Sequence, residues 1–216
     1  MTDDNYKPLD RRPIKARSTN WAAKVTTWLV QRNITPNTIS VAGMVFALIA
    51  GFALLATSTA GTAGAQRLLW LVAALGIQLR LLCNLLDGMV AVEANIASPL
   101  GELFNEIPDR ISDAAVLIGL GYAVGGEPVL GWFAACLALL TAYIRSMAVV
   151  AGAPNDFRGP MAKPHRMFVA TVAAVLMLLF ASPSIVSIAL WIIVVGSVIT
   201  CVRRTLAAAK ALNKDV

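Results

Sequence analysis

The sequence predicts an all-α polytopic membrane protein, with six transmembrane helices preceded by an amphipathic helix at the interface. Three observations predict it. The 216 residues are 58% hydrophobic and only 14% charged, whereas a soluble domain of this size carries about a quarter charged residues. No charge occurs between Arg32 and Arg67, between Glu127 and Arg145, or between Arg166 and Arg203, and a single span needs roughly 20 apolar residues. Finally, Lys and Arg are unevenly placed: seven precede the first span, Arg158, Lys163 and Arg166 cluster between the fourth and fifth, and four lie at or beyond the end of the sixth.

The spans read as 37–58, 67–93, 99–125, 128–152, 164–181 and 184–209. The uncharged run after Arg166 is 36 residues long, enough for two short spans, and Ser182-Pro183-Ser184 supplies the turn between them. Before the first span, Trp21, Val25, Trp28 and Leu29 recur at helical spacing among basic residues. That pattern suits a helix lying on anionic headgroups, while residues 1–18 fit a solvated basic tail. The expected organisation is a cytoplasmic tail and amphipathic helix over 1–33, a six-helix transmembrane domain over 34–210, and a short tail over 211–216. The basic clusters follow the positive-inside pattern, placing both termini in the cytoplasm of a plasma (inner) membrane. No cleavable signal peptide is expected, because the first apolar run starts late and is too long.

A net charge of +6 could suggest nucleic acid, but its segregation to one side of the membrane accounts for it better. Cys83, Cys136 and Cys201 lie within apolar spans without metal-like spacing and read as buried thiols. Trp21, Trp28, Trp70, Trp132 and Trp191 read as interfacial anchors, and the lone His165 as interfacial.

One stretch departs from this oily background. NLLDGMVAVEANIASPLGELFNEIPD, from Asn84 to Asp109, holds three asparagines, two aspartates and three glutamates. Arg80, Asn84, Asp87, Gly88 and Ala91 share one face of helix two within about 100°. Gly101, Asn105, Asp109 and Asp113 form an i, i+4 stripe on helix three. Ser98-Pro99 gives that helix a cap and a first-turn proline, and Pro108 can kink it. Joined by a short cytoplasmic turn over 94–98, the two stripes can face each other. Glu93, Asn95 and Glu102 read as solvated residues at the mouth. Ionisable groups at membrane depth count by default as functional. An oxygen-rich set without thiols favours a hard cation, Mg²⁺ or Mn²⁺, and a diphosphate is its natural complement.

The same stretch resembles the CDP-alcohol phosphotransferase (phosphatidyltransferase) family, marked by D-x2-D-G-x2-A-R-x8-G-x3-D-x3-D. Asn84 holds the first position, Asp87-Gly88 the second, Ala91-Val92 the Ala-Arg, and Gly101, Asn105 and Asp109 follow in register. The Thr35-Pro36-Asn37 entry to helix one is also similar to the family's. Here the first and third aspartates are asparagines and the arginine is Val92. An amide oxygen can ligate a cation but brings no charge, so a second ion would need charge from Glu106 or Asp113. Arg80 or Arg110 could replace the missing arginine's charge.

The resemblance implies a transferase of phospholipid biosynthesis. It would move a phosphatidyl group from a CDP-linked donor, CDP-diacylglycerol, to an alcohol acceptor with release of CMP. It implies that Asn84, Asp87, Asn105 and Asp109 hold the divalent cation and that Asp109 is the general base. Asn84, Asp87, Gly88, Ala91 and Gly101 would line the nucleotide diphosphate; Gly88 could equally serve helix packing. Arg145, Arg158, Lys163 and Arg166 would bind the acceptor, or else set topology and touch headgroups. Expected partners are membrane lipids, donor and acceptor, with homodimerisation left open. Two other readings remain: a lipid-binding or scaffold relative with an impaired site, and a cation-coupled transporter. The latter lacks an inverted repeat or a second polar cluster near the outer side.

Overall fold

The computed structural model describes residues 19–95 and 99–213. Its regular structure among those residues is helical: α1 (Asn20–Gln31), α2 (Pro36–Ala56) followed by a 3₁₀ turn (Thr57–Thr59), α3 (Ala63–Glu93), α4 (Pro99–Tyr122), α5 (Pro128–Val150), α6 (Lys163–Phe180) and α7 (Ser184–Leu212). The expected basic tail and the Ser98 cap lie outside the described residues.

Local chemistry sets the helix ends. Thr35 caps α2 by accepting the Thr38 N–H, with Pro36 at the first helical position, where a missing N–H costs nothing. Thr62 caps α3 in the same way through the Ala65 N–H. Proline also opens α5 and follows the first residue of α6. Ala181 takes a left-handed conformation where α6 stops, and α7 restarts at Ser184, so the expected turn at 182–184 is present.

Among the described residues, five helices are long and apolar enough to cross a membrane: α2 with its 3₁₀ turn, α3, α5, α6 and α7. The remaining expected span, 99–125, falls on α4, which is less apolar. That helix carries Glu102, Glu106, Asp109, Arg110 and Asp113, too many charges for an apolar span. Large apolar side chains such as Phe52, Leu68, Val129 and Phe180 are well exposed around the bundle, as expected of surface that meets lipid. Cys201 is buried and Cys83 half-buried, but Cys136 is exposed. A small thiol on a lipid-facing surface needs no burial in protein.

Without water to drive them together, membrane helices associate where small residues let backbones approach. α2 packs against both α3 and α4 in this way. A Cβ at Gly51 would fall 2.5 Å from the Ala115 carbonyl oxygen, and one at Gly119 would overlap the backbone of Gly51. Gly121 and Gly131 bring α4 against α5 equally closely. α6 and α7 close the bundle against α3 and α5.

α1 forms where an N-terminal amphipathic helix was expected, but its sides are divided differently. Leu29 turns inward onto Ile39, Leu86 and Val90, and Thr27 donates to Glu93 at the end of α3. Trp21, Val25 and Trp28 point outward; Trp28 is 51% exposed.

Chain reversal between helices brings the start of α2, α4 and α6 to the same end as the finish of α3, α5 and α7. The contacts place it so: Ser40 meets Asp87, Glu106 meets Arg145, and Asp113 meets Arg166. The buried ion pairs of the described residues collect there.

Candidate functional site

α3 contributes Arg80, Asn84 and Asp87, each about one turn from the next. Asp87 is buried; its Oδ2 accepts from Ser40 Oγ of α2 at 2.7 Å and its Oδ1 from the Gly88 N–H. Asn84 donates through Nδ2 to Asp109 Oδ1 of α4 at 3.3 Å, which leaves its carbonyl oxygen as the atom able to ligate. Asn84, Asp87 and Asp109 line one cavity together with Ser40, Gly43, Met44, Arg80, Cys83 and Ser112. The facing stripes expected from the sequence therefore meet at these three residues.

Asp109 is the hub. Its Oδ1 takes Asn84 and Arg80 Nη2, the latter at 3.1 Å, and its Oδ2 takes Lys163 Nζ from the first turn of α6. Arg110 Nη2 lies 3.9 Å from the same Oδ2 and 3.2 Å from Glu106. Glu106 in turn accepts from Arg145 of α5 at 2.6 Å, and Arg145 lies over the Phe157 ring. Behind Asp109, Asp113 is clamped between Arg80 at 3.0 Å and Arg166 at 2.6 Å. Arg80, Asp113 and Arg166 are each 1% exposed. Charges removed this far from water persist only when paired and hydrogen-bonded. Arg166 meets that demand through Asp113, the Met161 carbonyl and Thr141.

The remaining sequence-derived positions divide. Asn105 is exposed and outside the cavity lining, because Asn105 and Asp109 differ by about 40° around α4. Gly88 and Ala91 continue α3 beyond the cavity, and Gly101 lies in the first turn of α4. Arg145 and Lys163 reach the network, whereas Arg158 pairs with Asp156 at 2.5 Å. Arg166 was expected on the acceptor. It is enclosed instead, with its guanidinium spent on Asp113 and backbone.

Two contributors had no signal of their own. Ser40 stood in the helix-one entry without a periodicity to single it out. Arg204 read as part of a topology-setting cluster, yet its side chain is buried and donates to the Arg158 carbonyl at 3.0 Å and the Thr141 carbonyl at 2.7 Å. Together with the Met161 N–H on Thr200 Oγ1, this pins the segment between α5 and α6 to α7. At Gly159, φ is +123° and a Cβ would overlap Thr200, so the segment's closest approach requires glycine.

The donor set can be tested against a divalent cation. Hard cations want converging oxygens, and Mg²⁺ in particular is held by one or two carboxylates plus water and substrate phosphates. Asp87, Asp109 and the Asn84 amide, on one cavity wall, fit one such ion. Asp109 already carries three cationic side chains, Arg80, Arg110 and Lys163, so a second dication there would meet like charge.

A helical membrane bundle that gathers carboxylates, amides and basic side chains at one end of its spans is built to handle a polar headgroup at a bilayer surface. The chain belongs to the CDP-alcohol phosphatidyltransferase family, whose model matches residues 33–202. It is therefore an integral membrane transferase, and this membership favours the enzyme over the scaffold and transporter readings. It is 29% identical to the phosphatidylinositol phosphate synthase of Mycobacterium tuberculosis over 198 residues, covering 84% of each chain. Its fold is similar to crystal structures of phosphatidylinositol phosphate synthase from that organism. The one in complex with manganese and citrate has a TM-score of 0.74, at 21% identity over 88% of this chain and 90% of the other. The one with CDP-DAG bound has a TM-score of 0.71, at 24% identity over 88% and 94%.

Proposed function

We propose that the chain transfers a phosphatidyl group from CDP-diacylglycerol to an alcohol, releasing CMP, with Asn84, Asp87 and Asp109 as the centre of the reaction. The observation that carries this reading is their convergence on one cavity, on two facing helices, in a chain of this family. A relative that aligns over most of the chain is a phosphatidylinositol phosphate synthase, and one solved relative of like fold holds CDP-DAG. Both support the choice of donor.

When bound, a Mg²⁺ or Mn²⁺ ion neutralises the diphosphate and stabilises the departing CMP. Asp87 and Asp109, with the Asn84 carbonyl, are the residues that would hold it, and Ser40 fixes the Asp87 carboxylate. Gly88, Ala91 and Gly101 present small surfaces beside the nucleotide. Asp109 takes the proton from the acceptor hydroxyl, and for that Lys163 must yield one of its oxygens. Arg145, Lys163 and Arg158 line the acceptor side; Arg166 acts behind them by holding Asp113. Asn105, exposed on α4, is an outer ligand at most.

The architecture proposed around this site has α4 as a sixth span, its charges paired within the bundle. α1 lies on the inner leaflet with Trp21, Val25 and Trp28 toward lipid. Both termini are cytoplasmic in a plasma (inner) membrane, and the division is 1–33, 34–210 and 211–216. A homodimer is compatible with it.

The decisive experiment is CMP release by purified protein given CDP-diacylglycerol, Mn²⁺ and a panel of alcohols, with new lipids identified by mass spectrometry. Donor binding without CMP release for any acceptor would turn the reading to a lipid-binding relative. For topology, single cysteines at Gly61 and Glu127 in a cysteine-free background should react from outside, and one at Asn213 from inside. Labelling of Asn213→Cys from outside would invert the site's placement.

A further inference from the structure

The geometry points to Lys163 as a built-in cation that takes the place of a second divalent ion, so that this chain works with one ion. The inference rests on the transferase reading above. Three observations carry it together.

The ammonium of Lys163 sits on Asp109 Oδ2, while Arg80 and Asn84 occupy Oδ1, so both oxygens already have partners. The Lys163 side chain is only 16% exposed, so the charge is held inside the protein and not simply resting at the surface. Across the whole network, Arg80, Arg110, Arg145, Lys163 and Arg166 pair with Glu106, Asp109 and Asp113, and Asp87 lines the same cavity as Arg80. Five cationic side chains thus face four carboxylates, and the site is already charge-compensated before any ion arrives. Aspartates at 84 and 105 would make six carboxylates against five. In the cavity itself, Asn84 and the lysine are complementary: an amide where a carboxylate would add charge, and a tethered cation.

Lysine suits this role better than arginine. Its ammonium is a compact point charge on a flexible stem, able to leave Asp109 for a phosphate oxygen as a charge-assisted hydrogen bond. A dication brought beside it would meet like charge across a few ångströms in a medium that screens poorly. The simpler role, a staple joining α6 to α4, predicts a change in stability on removal and none in ion number.

The test is Mn²⁺ stoichiometry on the full chain in nanodiscs, by calorimetry and by electron paramagnetic resonance. Wild type should bind one ion per chain with the spectrum of an isolated Mn²⁺. Asn84→Asp with Asn105→Asp should still bind one. Adding Lys163→Met to that pair should admit a second ion, bound at least about tenfold tighter than in wild type, with a spin-coupled spectrum. Lys163→Arg in place of Met should restore a single ion. Two ions in wild type, with CMP release intact, would overturn the inference and leave the transferase reading standing. A triple variant that stays at one ion would also overturn it. No ion bound and no CMP released by wild type, with or without CDP-diacylglycerol, would remove the transferase reading and this inference with it. Should the triple variant fail to fold, Asn84→Asp with Lys163→Gln replaces it, and an ion count that stays at one overturns the inference.

Discussion

The two ends of the bundle are assembled by opposite means. At one end Arg80, Asp109, Asp113, Lys163 and Arg166 join α3, α4 and α6 through ion pairs of buried or half-buried groups. At the other, Gly51 meets Gly119, Gly121 meets Gly131, and Gly125 packs on Pro183. There the Val124 N–H, just past α4, donates to Thr57 Oγ1 in the 3₁₀ turn after α2. The glycine end gains its closeness from missing side-chain atoms and offers no chemistry. The charged end places chemical groups, and it holds them only because each has a partner. Function and cohesion are therefore separable along the axis of the same helices, and substitutions at the two ends should fail in different ways.

The largest effect should come from Asp109→Asn. With the base removed, CMP release should fall by about 10²–10⁴-fold, while insertion and CDP-diacylglycerol binding persist. Wild-type rates from this variant would remove Asp109 from the chemistry. Asp113→Asn comes next and acts on cohesion at the charged end. It leaves Arg80 and Arg166 buried without their shared counter-charge, a loss of about 3–5 kcal/mol, read as a lower midpoint in graded denaturation. At the glycine end, Gly119→Ala should cost about 1–3 kcal/mol through overpacking against Gly51. The turnover of each folded molecule should be unchanged; a changed KM would show that the two ends are coupled. The smallest effect on rate belongs to Asn84→Asp with Asn105→Asp. The added carboxylates repel Asp87 and Asp109 until a cation is bound, so Mn²⁺ should bind more tightly in calorimetry with no gain in CMP release. Activity switched on in an inert wild type would instead mark the asparagines as a disabling change.

Much of this division was legible in the sequence, and for identifiable reasons. Pro36, Pro99, Pro128 and the Ser182-Pro183 turn mark helix boundaries through backbone sterics, which act locally. The facing of Asn84 and Asp87 toward Asp109 follows from helical periodicity and a short connection. What periodicity could not supply was rotation. An i, i+4 stripe drifts by about 40° per step, so Gly101 and Asp113 differ by about 120°, and only the Asp109–Asp113 end of the stripe turns toward α3. Lys163 and Arg166 lie 54 and 53 residues beyond their partners Asp109 and Asp113. Their places depend on how α6 packs against α3 and α4, which no local pattern encodes. The outward turn of Trp21 and Trp28 was readable as amphipathicity, but the inward turn of Leu29 depends on the α3 surface it meets.

The buried Arg80–Asp113–Arg166 clamp also bears on how the chain is made. α4 is the least apolar of the long helices, and a carboxylate near the middle of a nascent span resists partition from the insertion machinery into lipid. Arg80 is synthesised 33 residues before Asp113, and Arg166 is synthesised 53 residues after it. α4 can thus leave the translocon as a hairpin with α3, half neutralised, but it must wait for α6 before its charge is fully matched. With α4 crossing as proposed, biogenesis of this bundle would include a stage after α3 and α4 have entered when Asp113 is still short of one partner. A chain truncated before α6 should be the form that cellular quality control recognises.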